Sequence, residues 1–319
     1  FGTDPGVRAQ IQAPIDQMTT WLADADYLPT RMPEGDVSVE ALRAMQGDGF
    51  VQVNAHGDKG VLRGGDTLYV MSTSTRVGVT TDVGYADDLN NRRLAYFVGD
   101  MGGPAHEGVY AITPEFARTY VGFAEHAVVF LNVCWSAHQT SDAASGPRAF
   151  VAALHAKGAS VVFGWTRAVD VTHAMRAVRY FVDRTLGSNQ FEPVAGPLQR
   201  PFDWQAVIAE MRRTGRARDA NGAELLPMPR PAATRNAGFL VPSIEGVAVC
   251  TRTAVETCQV PGQAPSDLYI RGTFGPDPGP SLRTVTIRDG GTARELTVVH
   301  WDSTVIFARI PLTGVGSVG

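Results

Sequence analysis

Residues 126–141 read HAVVFLNVCWSAHQTS, and the run from Ala127 to Cys134 is apolar at almost every position. Such a run has no polar face to turn to water, so as a strand it must be covered on both sides. That condition is met by a central strand of a mostly parallel sheet lying between helices. The run stops at Cys134, and polar residues follow from Ser136 onward. A thiol therefore stands where a buried strand is predicted to leave its sheet.

The neighbouring segments fit the same architecture. GFVQVNAHG (49–57) alternates and breaks at His56-Gly57, as a strand ending in a turn does. TPEFARTYVG starts a helix with Thr113 as cap and Pro114 in the first turn, and SGPRAFVAALHAKGA starts another at Pro147. SVVFGW (160–165) is a short β-branched strand, and the segments starting at Asp170 and Asp203 have helical periodicity. Residues 6–27 and 36–49 also read as helices, the first interrupted by Pro14. LYVMSTS and RRLAYFVGD read as strands joined by a long polar loop, TTDVGYADDLNN. Strand alternating with helix predicts an α/β fold, a three-layer αβα sandwich around a mostly parallel sheet.

The pattern changes near residue 225. LLPMPRPAATRNAG is Pro-rich and reads as a linker, and beyond it only short alternating strands and turns appear, the pattern of a small β-sandwich. The expected division is residues 1–224, a linker at 225–240, and an all-β domain at 241–319. A chain of 319 residues with 44% hydrophobic and 19% charged residues suits two such domains. The net charge of −4 and the scattered arginines give no basic field for nucleic acid, and no apolar run reaches the ~20 residues needed to span a bilayer. Lys59 and Lys157 are the only lysines, a bias that suggests a GC-rich bacterial source. The chain opens at Phe1 without Met or a leader pattern and reads as a processed or excised piece.

Strand exits are where an open parallel sheet presents reactive groups. His56 and Cys134 each end a predicted strand, so if those strands are neighbours an imidazole and a thiol share one cleft. A thiolate is a strong nucleophile, a nearby His can take its proton, and Gly57 lets backbone N–H groups approach an oxyanion. The other two cysteines, Cys250 and Cys258, are close in sequence and are candidates for a disulfide, which would leave Cys134 single; three reduced core cysteines are the alternative.

VQVNAHGDKGVLRGG followed by the stretch from His126 to Gly187 resembles the caspase-like cysteine peptidases of clan CD, nearest the CHAT and gingipain branches. The shared features are a strand ending His-Gly, a hydrophobic strand ending in Cys with a small residue two positions on, a helix leaving through AKGAS, a strand ending near Trp, and an Asp-led helix. The resemblance covers roughly residues 48–187. It implies a catalytic dyad of His56 and Cys134, an oxyanion hole from the N–H groups of Gly57 and Cys134, and peptide hydrolysis through a thioester without a cofactor. The C-terminal segments LYIRGTFG, RTVTIRDG and VVHWDSTVIFARIP resemble the immunoglobulin-like IPT/TIG fold. Gingipain-type enzymes also carry an immunoglobulin-like domain after the catalytic one, which implies a secreted or cell-surface protein, with a cytoplasmic location as the alternative.

For specificity, the loop GWTRAVD after the third strand offers Trp165 as an apolar wall and Asp170 as an acid to pair a basic substrate residue, with Asp58 as the alternative acid. Arg167 would instead select an acidic side chain, and Asp170 also suits a helix cap. Two rival readings remain: a metal site from Cys134, His138 and His56, which lacks a fourth ligand, and an inactive scaffold or adhesin that binds a protein partner through its β-domain.

Overall fold

The computed structural model describes residues 5–25, 27–32, 37–98, 108–139, 145–194, 204–230, 243–252, 258–259, 267–274, 280, 283–289, 292–302 and 304–310. The fold is mixed α/β with one mostly parallel sheet. The chain divides into two compact units that are discontinuous in sequence. The first comprises Phe1–Thr19, Pro29–Phe181 and Trp204–Phe239, and the second Thr20–Leu28, Val182–Asp203 and Leu240–Gly319. The last segment of the second unit starts one residue before the 241 expected for the all-β domain, while Thr20–Leu28 and Val182–Asp203 join it from the N-terminal part of the chain.

In the first unit, β1 (Gln46–Ala55), β6 (Gly122–Val133) and β7 (Ala159–Trp165) are parallel neighbours, with β6 in the middle. The apolar run thus occupies the buried position its composition requires. Val129, Leu131 and Val133 face a core built with Phe116 of α5 (Pro114–Tyr120) and Phe150 and Leu154 of α6 (Pro147–Ala156). On the other face Phe130 stacks on Phe163 at 5.5 Å. Phe163 also meets Phe181 of α7 (Val171–Thr185) at 4.8 Å and Trp204 of α8 (Trp204–Arg213) at 5.6 Å. Thr113 caps α5 by accepting from Glu115 N and Phe116 N at 3.1 and 3.3 Å. Helix α1 (Pro5–Asp24) continues through Pro14, and α2 (Val39–Arg43) is a short helix capped by Ser38.

Part of the expected linker belongs to this sheet. β8 (Leu225–Pro229) pairs antiparallel with β7 as an edge strand. Pro227 and Pro229 are two residues apart, so both missing N–H groups fall on the same side of the strand, away from β7, where an edge tolerates proline. Residues 231–240 of that segment lie outside the described residues.

Between β1 and β6 the chain forms a closed four-stranded barrel, in the order β2-β3-β5-β4: β2 (Gly57–Val61), β3 (Thr67–Arg76), β4 (Leu94–Phe97) and β5 (Val109–Ile112). Its core is Leu62, Val70, Ala95, Phe97 and Ala111. The barrel is so narrow that a Cβ on Gly60 would stand 2.6 and 2.7 Å from the Val70 methyls. The segment expected as a polar loop contains two short helices, α3 (Val79–Gly84) and α4 (Ala86–Asn90). They are anchored by carboxylates: Asp82 accepts from Tyr96 and Tyr110, and buried Asp88 meets Arg43, Arg93 and Tyr120.

In the second unit, β9 (Ser243–Arg252), β10 (Cys258–Gln259), β11 (Asp267–Thr273), β12 (Val285–Asp289), β13 (Thr292–Trp301) and β14 (Val305–Arg309) pair antiparallel in the order β10-β9-β11-β14-β13-β12. The described strands therefore form one continuous series, whereas a sandwich was expected. Successive β14 residues pack on opposite faces, Phe307 with Cys250 and Ile306 with Ile270. Cys250 is wholly buried and disulfide-bonded; the side chain of its expected partner Cys258 lies outside the described residues.

Because Phe163 sits at the centre of the aromatic cluster and is wholly buried, Phe163→Ala is expected to cost about 3–5 kcal/mol of stability. Chemical denaturation monitored by circular dichroism checks this.

Candidate active site

The geometry of the candidate site begins in the β1–β6 ladder. Asn54 pairs with Asn132 and Ala55 with Val133, so His56 and Cys134 are the next residue on each strand. The strands are parallel and about 4.8 Å apart. Both residues therefore leave the sheet side by side at one edge. Inside that edge, Asn132 Nδ2 donates to Asn54 Oδ1 at 3.1 Å, and Trp165 Nε1 donates to Asn132 Oδ1 at 3.2 Å. This buried polar row ties the three strands together just before they end.

The backbone of His56 is held by the barrel. Its N–H donates to Ser72 Oγ at 3.1 Å, and its carbonyl accepts from Ser72 N at 2.9 Å. The ring lies 6.3 Å from that of Phe97. Antiparallel strands alternate between bonded and non-bonded pairs. Since His56 bonds Ser72, the next residue, Gly57, opposite Met71, turns its N–H away from β3. A Cβ on Gly57 would fall 2.5 Å from Val133 Cγ1 and closer still to the Tyr69 hydroxyl and the Cys134 carbonyl oxygen. Only glycine brings this backbone so near the cysteine.

Cys134 is a half-buried free thiol. Burial pushes its pKa up; the backbone of Val169 hydrogen-bonds it and lowers it, while the charges of Asp58 and Asp219 raise it. The net direction is upward, so the resting sulfur favours the protonated form. The turn after it is pinned at several points. Ser136 Oγ donates to Val133 O at 2.7 Å and accepts from Trp165 N at 3.0 Å, and Ala137 N donates to Trp165 O at 2.9 Å. Trp135 has φ 62°, a left-handed conformation that is a genuine outlier for a bulky residue.

Beside this turn lies a cleft of about 320 Å³, lined among others by Asp58, Tyr69, Trp135, His138 and Pro147. Asp58, expected as the alternative acidic wall of a substrate pocket, is among the residues lining this cleft, and its Oδ1 accepts from Lys59 N at 2.7 Å. Trp165 is elsewhere. Its ring is wholly buried, bonded to Asn132 and edge-on to His173 at 5.6 Å, so the expectation that it walls a substrate pocket is corrected. Asp170 is exposed and caps α7, accepting from His173 N at 3.0 Å. His138 turns Nδ1 to the Thr166 carbonyl at 3.1 Å. Among the described residues, no group of three or more His, Cys, Asp or Glu side chains is gathered so as to hold a metal ion.

Sequence reasoning missed Tyr69, Ser72 and Asp219. Tyr69 and Ser72 lie in LYVMSTS, which shows only strand alternation; nothing local marks a hydrogen bond to residues 16 or 65 positions away. Asp219 is buried and accepts from Asp170 N, Asn221 N and Ala223 N, the signature of a turn anchor.

Two variants test the electrostatics and the packing. A carboxylate near a thiolate disfavours the charged form, so Asp58→Asn lowers the thiol pKa; the pH profile of Cys134 alkylation is expected to move to lower pH, with faster labelling at neutrality. Gly57→Ala forces the barrel and the cysteine turn apart and is expected to cost about 1–3 kcal/mol, read from the denaturation midpoint.

Comparison with protein-family models, with curated proteins and with solved structures finds no match for this chain.

Proposed function

We propose that the chain is a caspase-like cysteine endopeptidase that uses Cys134 as nucleophile and His56 as general base. The carrying observation is the parallel register that ends with Ala55 opposite Val133, which sets an imidazole-bearing and a thiol-bearing residue at one sheet edge. The thiol proton passes to the His56 imidazole as the sulfur attacks the scissile carbonyl carbon. The resulting oxyanion accepts from the backbone N–H groups of Gly57 and Cys134. Collapse breaks the C–N bond, and the leaving amine takes the proton from the imidazolium. Water, deprotonated by His56, then attacks the thioester; the acid product leaves and the sulfur regains its proton.

The raised thiol pKa supports a general-base step over a preformed thiolate–imidazolium pair. Asp58 in the cleft lining supports cleavage after a basic residue. The disulfide-bonded Cys250 supports an exported, secreted or surface location, since disulfides persist in oxidising compartments. The second unit is read as an immunoglobulin-like module for a protein partner, with Ile244, Val247 and Val249 of β9 exposed. Among the described residues no helix is long and apolar enough to cross a membrane.

Cys134→Ala and His56→Ala are each expected to abolish cleavage of a peptide library while leaving far-UV circular dichroism and the melting temperature close to those of the parent. Undiminished turnover by either variant rejects the proposal.

A further inference from the structure

The barrel inserted between the two candidate catalytic strands brings one side chain against the nucleophile itself. The Tyr69 hydroxyl donates to the carbonyl oxygen of Cys134 at 2.8 Å. On the other side of the same peptide, the N–H of Trp135 donates to the Arg167 carbonyl at 3.2 Å. The peptide unit joining Cys134 to Trp135 is therefore clamped from both ends, by β3 of the barrel and by the loop after β7. This is also the peptide that leads into the left-handed Trp135, a conformation that persists only where its surroundings over-determine it.

Resting on the dyad reading, we infer that Tyr69 is a positioning residue. Its O–H···O=C bond to Cys134 fixes the rotation of the peptide that carries the thiol, and so holds the sulfur in reach of His56. Three further observations agree. Tyr69 N donates to Ser145 O at 2.8 Å, which anchors the strand segment as well as the ring. The absence of a Cβ on Gly57 makes the space in which the hydroxyl and the carbonyl meet. Burial, with the charges of Cys134 and Asp58, holds the phenol well above its ordinary pKa, so it remains a donor over the whole range in which the thiol titrates.

A double-mutant cycle in the full chain tests this, with iodoacetamide alkylation of Cys134 at neutral pH as the readout. In the parent, His56→Ala is expected to slow labelling about a hundredfold. Tyr69→Phe keeps the ring and removes only the hydroxyl, and near-UV circular dichroism confirms its fold. In that background the added His56→Ala is expected to change the rate by less than about threefold, because the imidazole no longer finds the sulfur in place. A residue that merely stabilised the fold would leave the effect of His56 intact, so a full hundredfold loss in both backgrounds overturns the inference alone. No effect of His56→Ala in the parent overturns the dyad and the inference with it.

Discussion

The parallel pairing of β1 with β6 is the constraint on which the candidate site depends. Were the two strands antiparallel, their C-terminal ends would lie at opposite edges of the sheet, separated by the paired length from Phe50 to Ala55, about 20 Å at 3.3 Å per residue. A slip of one residue would turn the thiol to the opposite face from the imidazole. What prevents the slip is the asymmetry of the two faces. Val51, Ala55, Val129, Leu131 and Val133 fill one core, while Asn54 and Asn132 bond each other on the other face. Exchanging the faces would bury both amides among aliphatic groups without partners, and an unsatisfied buried amide costs more than any one aliphatic pairing contributes.

Beyond the edge the sheet no longer supplies partners, and the backbone groups of the two turns are satisfied from outside. The barrel serves the His56 side through Ser72, and β7 serves the Cys134 side through Trp165 and Ser136. Tyr69 joins the two halves by reaching from the barrel to the cysteine carbonyl. A half-buried thiol on a strained turn is thus held by named donors and acceptors rather than by hydrophobic packing. This arrangement suits a group that must stay accessible.

How much of this was readable in the sequence follows from the range of the interactions. The central strand, its helical neighbours and the caps at Thr113 and Asp170 are local signals, and they lie where apolar periodicity and capping chemistry indicate. The barrel was not readable, because GDKGV has two glycines and two charges and becomes a strand only through pairing with β3 and β4. The proline-rich strand at 225–229 was misleading for a different reason: composition does not distinguish a linker from an edge strand whose prolines both face outward. At the site, His56 and Cys134 were legible as strand exits. Trp165 ends its strand as expected, but a residue there is buried or open according to which face it occupies, and here its ring is buried against His173 of α7.

The electrostatics narrow the chemistry such a site can perform. Cysteines that rest as thiolates owe it to nearby cations or helix N-termini. Around Cys134 the charges that act on the sulfur are instead the carboxylates of Asp58 and Asp219, and burial works in the same direction. The opposing influences are backbone hydrogen bonds, from Val169 and from Cys134 itself. Asp219 is committed to the turn at 219–223 and to the start of α7, so its charge is a fixed part of the scaffold. Asp58 lines the cleft, within reach of whatever binds there. On the dyad reading proposed above, a cation lodged beside Asp58 would remove one of the two charges that hold the proton on sulfur and so ease its transfer to His56. On that same reading one carboxylate would both favour a basic ligand and restrain the thiol until that ligand arrives.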